Sequence, residues 1–77
     1  MNNDLIERES GRLAERLLKE ASGDLTSAVK SGYRLLLGRQ PSGAELDSAL
    51  TYIGHDPKRM KELSWLLFNL DEFIYVR

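Results

Sequence analysis

Apolar residues recur at steps of three and four in four separate stretches of this chain, the spacing of helices that bury one face. In the first, Ile6, Leu13, Leu17 and Ala21, with Leu5, Ala14 and Leu18 beside them, predict a helix from about Asp4 to Ala21. The second, about Leu25 to Leu37, aligns Leu25, Val29, Tyr33 and Leu36, with Ala28, Gly32 and Leu35 alongside. In the third, about Gly43 to Ile53, Leu46, Ala49, Leu50 and Ile53 point inward. The last is the most apolar. Met60, Leu63, Leu67, Leu70 and Ile74 form its stripe, widened by Trp65, Leu66, Phe68 and Phe73. A helix apolar over so much of its circumference has to be wrapped by others.

The polar residues between these stretches are stop and start signals. Asn3 or Asp4 can cap the first helix, and Gly23 suits a left-handed turn after it, with Asp24 or Thr26 opening the second. Gly38 ends the second helix and Pro41 blocks its continuation. Ser42-Gly-Ala-Glu45 has the form of a capping box, in which the Ser hydroxyl and the Glu carboxylate each bond the other residue's backbone N–H. Asp56 followed by Pro57 starts the fourth helix. Short connections of this kind favour an all-α bundle of four helices. Phe73-Ile-Tyr-Val76 is β-prone but has no partner strand, and reads as a helix end with a short extended tail.

The 77 residues form a single helical domain, 1–77, with enough chain for one small core. The expected core is Leu13, Leu17, Val29, Tyr33, Leu36, Leu46, Leu50, Ile53, Leu63, Leu67 and Leu70, with Trp65 and Phe73 at least partly buried. With no cysteine, helix packing alone must supply stability. Eleven Lys and Arg against twelve Asp and Glu give a net charge of -1, no surplus of cations for nucleic acid. The third helix, where a helix-turn-helix would read bases, carries Glu45, Asp47, Ser48 and Thr51 and no cation. No apolar run is long enough for membrane insertion, and the N-terminus lacks the basic start and apolar core of a signal peptide.

Candidate chemistry is sparse. His55 is the only histidine and stands in a Gly-His-Asp-Pro turn. One His without Cys makes a poor zinc site, and no acidic run has EF-hand spacing. Asp71 and Glu72 point about 100° apart on a helix and form no dyad. Gly38-Arg-Gln-Pro-Ser-Gly43 lacks both the Lys-Ser/Thr and the preceding strand of a phosphate loop. No catalytic residue, metal site or cofactor is assigned. The charged side of the first helix, Arg8, Arg12, Glu15, Arg16, Lys19 and Glu20, reads as a solvated face, with Glu15 and Lys19 spaced for an ion pair. One specific pairing is expected: Arg39 in the loop meeting Glu72 of the last helix, with Arg39–Glu45 or a solvated Arg39 as alternatives.

Several of these residues together are familiar. Asn2-Asn3, Ala14-Glu-Arg-Leu-Leu18, the run Tyr33-Arg-Leu-Leu-Leu-Gly-Arg-Gln-Pro-Ser-Gly-Ala-Glu-Leu46 and Trp65 followed by Leu66-Leu-Phe-Asn-Leu-Asp-Glu-Phe-Ile-Tyr-Val76 occur in that order. They resemble the C-terminal part of a domain of unknown function in planctomycete surface proteins, which accompanies cytochrome-c-like domains. Asp71 departs from the asparagine usual there, and the connection from Gly54 to Pro57 is shorter than is common. The larger N-terminal part of that domain and any Cys-x-x-Cys-His haem attachment are missing. The resemblance implies a piece of a larger exported protein, placed in the periplasm or cell envelope, and carries over no catalytic residue. A cytoplasmic placement also stays open. The function expected is a non-catalytic structural or interaction module, monomeric or weakly dimeric, whose partner is the rest of its parent chain or another protein. An accessory domain of an enzyme or cytochrome-linked electron-transfer protein is the alternative, and a DNA-binding helix-turn-helix a distant third.

Overall fold

The computed structural model describes residues 3–69. Within them the chain forms four α-helices: α1 (Asn3–Glu20), α2 (Leu25–Leu37), α3 (Gly43–Tyr52) and α4 (Met60–Phe68), the last preceded by a single 3-10 turn, Pro57–Arg59. This is the small all-α four-helix bundle that the periodicity predicts. Leu70, Glu72, Phe73, Ile74 and the β-prone tail lie outside the described residues.

The helix ends follow from local chemistry. Ser42 Oγ accepts from the Glu45 N–H at 3.1 Å, and the Glu45 carboxylate accepts from the Ser42 N–H at 2.8 Å, completing the expected capping box. Asp56 caps as expected, accepting from the Lys58 N–H at 2.9 Å, but it caps the 3-10 turn, and α4 begins three residues later. Asp4 lies in the first turn of α1 rather than at its cap. After α1 the chain closes with paired bonds from Ser22 N–H to Lys19 O and Gly23 N–H to Leu18 O. Ser22 therefore shares the left-handed conformation expected of Gly23 alone, with φ of 54° and 84° respectively.

Three helices meet at Gly32. A methyl group built there would stand 3.3 Å from Leu17 Cδ1 of α1, 3.5 Å from Leu67 Cδ1 of α4 and 3.9 Å from Met60 Cε. The absent side chain on α2 is what lets α1 and α4 come this close to it. Around that point Leu17, Val29, Met60, Leu63 and Leu67 are buried, with Ala14, Ala28 and Tyr33. The most extensive contact in the bundle is between α1 and α4, while α3 packs chiefly on α2. Ala49 is the one buried residue within α3, and Ile53 at its C-terminal cap, fully buried, anchors that end.

Six of the expected core residues are buried outright: Leu17, Val29, Tyr33, Ile53, Leu63 and Leu67. Leu13, Leu36, Leu46 and Leu50 pack against this cluster without being sealed. Leu5 and Leu35, expected beside the buried stripes, are about half exposed. The bundle buries two serines instead, Ser10 on α1 and Ser64 on α4. Ser10 satisfies its hydroxyl by donating to the Ile6 carbonyl one turn earlier, at 2.7 Å. Among the described residues the Ser64 hydroxyl has no hydrogen-bond partner.

Candidate functional site

The loop between α2 and α3 is held by a compact polar assembly. Arg39 donates to Glu45 through both terminal nitrogens, at 2.7 and 2.9 Å, and to the Gln40 carbonyl at 3.2 Å. Its guanidinium carbon stands 5.8 Å from the centre of the Tyr33 ring. The sequence reading preferred Glu72 as the partner of Arg39; Glu72 lies outside the described residues, and the partnership formed within them is the alternative, Glu45. The Arg39 hydrogen bonds, followed by the Ser42 N–H, lower the Glu45 pKa to about 2. At the start of α2, Asp24 is also lowered, chiefly by the hydroxyl of Ser27, 2.7 Å away. These are structural arrangements: both carboxylates are committed to helix starts.

The exposed aromatic residues gather elsewhere. Tyr52 at the end of α3 and Trp65 and Leu66 on α4 keep 45%, 43% and 36% of their surface. Sequence reasoning placed Trp65 near the core because it lies inside the densest apolar run. The face that α4 buries is Met60, Leu63, Ser64 and Leu67, and one helical step of about 100° carries Trp65 from beside Ser64 to the rim. Trp65 is thus half covered and half open.

Trp65 and Tyr52 line an open cleft of about 400 Å³ with Glu7, Lys61 and Glu62. Tyr52 also borders a shallow, mostly apolar groove of about 390 Å³, which runs between α3 and α4 over Tyr33, Ala49, Leu63 and Leu66. The cleft has charged edges. Arg59 donates its Nε–H to Glu62 at 2.6 Å while its guanidinium carbon stands 5.9 Å from the Tyr52 ring centre. On the other edge the Lys61 ammonium is 3.6 Å from Glu7. Gly11 shapes this edge, because a side chain there would meet the Lys61 methylenes at 3.7 Å, where the lysine stem passes over α1.

Elsewhere the surface is plainly solvated. On α1 Arg12 pairs with Glu9 and Arg16 with Glu20, while the expected Glu15–Lys19 pair does not form among the described residues. His55 is exposed in its turn at φ 54°. Among the described residues no three His, Cys, Asp or Glu side chains converge on a point that could hold a metal ion, and no helix is long and apolar enough to cross a membrane. Phe73 lies outside the described residues. The cleft between Glu7 and Tyr52 was not legible in sequence, because Glu7, Tyr52 and Trp65 are far apart in the chain and no periodicity links them. No family model, curated protein or solved structure matches the chain.

Proposed function

We propose that this domain is a non-catalytic interaction module of a larger envelope-associated protein, docking the remainder of that protein or another chain through the face around Tyr52, Trp65 and Leu66. The observation that carries the reading is the exposure of these three large side chains, Tyr52 and Trp65 on the open cleft and Tyr52 and Leu66 on the neighbouring groove, while Tyr33 of α2 is buried. Aromatic residues left half open on a rigid helical surface are typical anchors of protein interfaces. The titratable side chains around the cleft are engaged in surface ion pairs, which suits recognition rather than acid–base work. The envelope placement rests on the resemblance.

A paired substitution tests it. Tyr52→Lys with Trp65→Lys keeps long aliphatic stems over the surface and removes the aromatic face. The double variant is expected to unfold cooperatively in urea, losing less stability than Leu67→Ala alone. If it instead collapses, the aromatic residues are packing elements and the docking reading fails.

A further inference from the structure

One seam of the bundle stays unclosed among the described residues. A short turn joins α3 to α4, yet α3 leans on α2 and has little contact with α4. The groove of about 390 Å³ lies between them. Its α3 side is low, because Ala44 and Ser48 stand four residues apart on one face, both exposed. α4 contributes Leu63 and Leu66. Of the described lining residues only Glu45 is charged, and Arg39 already holds it. Such a surface suits bulky apolar side chains and selects no ion.

We propose that residues 70–77 of this same chain are the occupant, with Phe73 seated over Ala44 and Ser48. Position favours them. α4 stops at Phe68, and Asn69 caps it by donating its side-chain amide to the Trp65 carbonyl at 2.7 Å. Asn69 is only three residues past Leu66, so the segment starts at the edge of the groove. Length suffices: eight residues reach up to roughly 26 Å, and α3 with its ten residues is ~15 Å long. Composition fits as well. Leu70, Phe73, Ile74, Tyr75 and Val76 make five of the eight apolar or aromatic.

The competing sites and occupants fit less well. The hollow that Phe68 itself lines, with Leu13, Leu35 and Leu36, is about 240 Å³ and is rimmed by Glu9, Arg12 and Arg16. A tethered segment this short meets the groove at an effective concentration on the order of mM. A second copy would have to be present at that concentration to compete for the same contacts. With the tail seated, Leu66 and the groove side of Tyr52 are covered by the chain itself, and the cleft beside Trp65 is the part of the face left for a partner. The assignment goes beyond the docking reading and stands without it.

The experiment is NMR on the intact 77 residues at two protein concentrations. Nuclear Overhauser effects are expected between the Phe73 ring and the methyl groups of Ala44 and Leu66. Ser48→Arg puts a long charged side chain on the groove at an exposed position, away from the core. It should abolish those contacts and move the amide shifts of residues 70–76 to random-coil values, while the Val29 and Leu67 methyl shifts stay in place. Random-coil shifts for residues 70–76 in the parent would overturn the proposal. So would Phe73 contacts to another face, such as Leu13 and Leu35, or contacts that Ser48→Arg leaves unchanged. Phe73 contacts that appear only at the higher concentration would assign the groove to a second copy instead. The docking face is decided separately, by the cooperative unfolding of the Tyr52→Lys, Trp65→Lys variant.

Discussion

Arg39 holds Glu45 with two parallel hydrogen bonds of 2.7 and 2.9 Å while the same carboxylate closes the capping box at the start of α3. One carboxylate thus fastens the loop to the helix that follows it. Its pKa is lowered to about 2 by Arg39 first and the Ser42 N–H second. A carboxylate depressed in the folded state contributes stability that is present above its unfolded pKa, here 4.5, and lost as the pH falls through the folded value. Glu45→Gln is therefore expected to flatten the decline of stability between about pH 4.5 and 2, measured by urea unfolding at a series of pH values. A decline as steep as the parent's would show that the pair is melted by solvent and does not support α3.

Ser64 is fully buried on α4, and among the described residues its hydroxyl has no partner. A buried polar group left unsatisfied costs about 1–3 kcal/mol, and Ala is also the better helix former. Ser64→Ala should stabilise the domain by about 1 kcal/mol in urea unfolding. A loss of stability would mean that the hydroxyl is satisfied in solution, for instance by an internal water.

Two helical glycines make opposite predictions. At Gly11 the nearest atoms to an added methyl are the Lys61 methylenes at 3.7 Å, an ordinary contact. Gly11→Ala is expected to raise stability by roughly 0.5–1 kcal/mol through helix propensity. At Gly32 the methyl would meet Leu17 Cδ1 at 3.3 Å, with Leu67 and Met60 behind it. Overpacking there costs about 1–3 kcal/mol, which outweighs the same gain, and Gly32→Ala should destabilise. Thermal melts of the two variants check the order, and a Gly32→Ala variant more stable than the parent would mean that α1 and α4 can shift apart freely.

Leu67 and Trp65 test which side of α4 carries the bundle. Leu67 is sealed and Trp65 is 43% exposed. Leu67→Ala is expected to cost about 2–5 kcal/mol, and Trp65→Ala about half of the ~3–5 kcal/mol of a buried tryptophan. A larger loss at Trp65 than at Leu67, in matched urea titrations, would place the indole in the core as the apolar run alone suggests.

The four helices and most of their ends could be read from the chain because each depends on nearby residues. The span of α2 matches its expected bounds, and the Ser42–Glu45 box forms as written, since a cap needs only residues three apart. Expectations failed where the deciding neighbour is remote. Leu5 and Leu35, expected on the buried sides of their helices, are about half exposed, and on α4 the packing of α1 and α2 chose the Met60–Leu63–Leu67 side, which leaves Trp65 only partly covered. The same packing buried Ser10 and Ser64, which apolar spacing does not mark.

By itself the sequence determined an all-α bundle and most of its turns, because these are set by interactions within a few residues. Only the tertiary structure decided which aromatic residues stay open and which carboxylates stand beside them. Glu7 and Trp65 share a cleft because α1 packs on α4, and Gly32 of α2 sets how near both helices come. That meeting point depends on the volumes of Leu17, Leu67 and Met60 at once, a constraint that no single stretch of the chain contains.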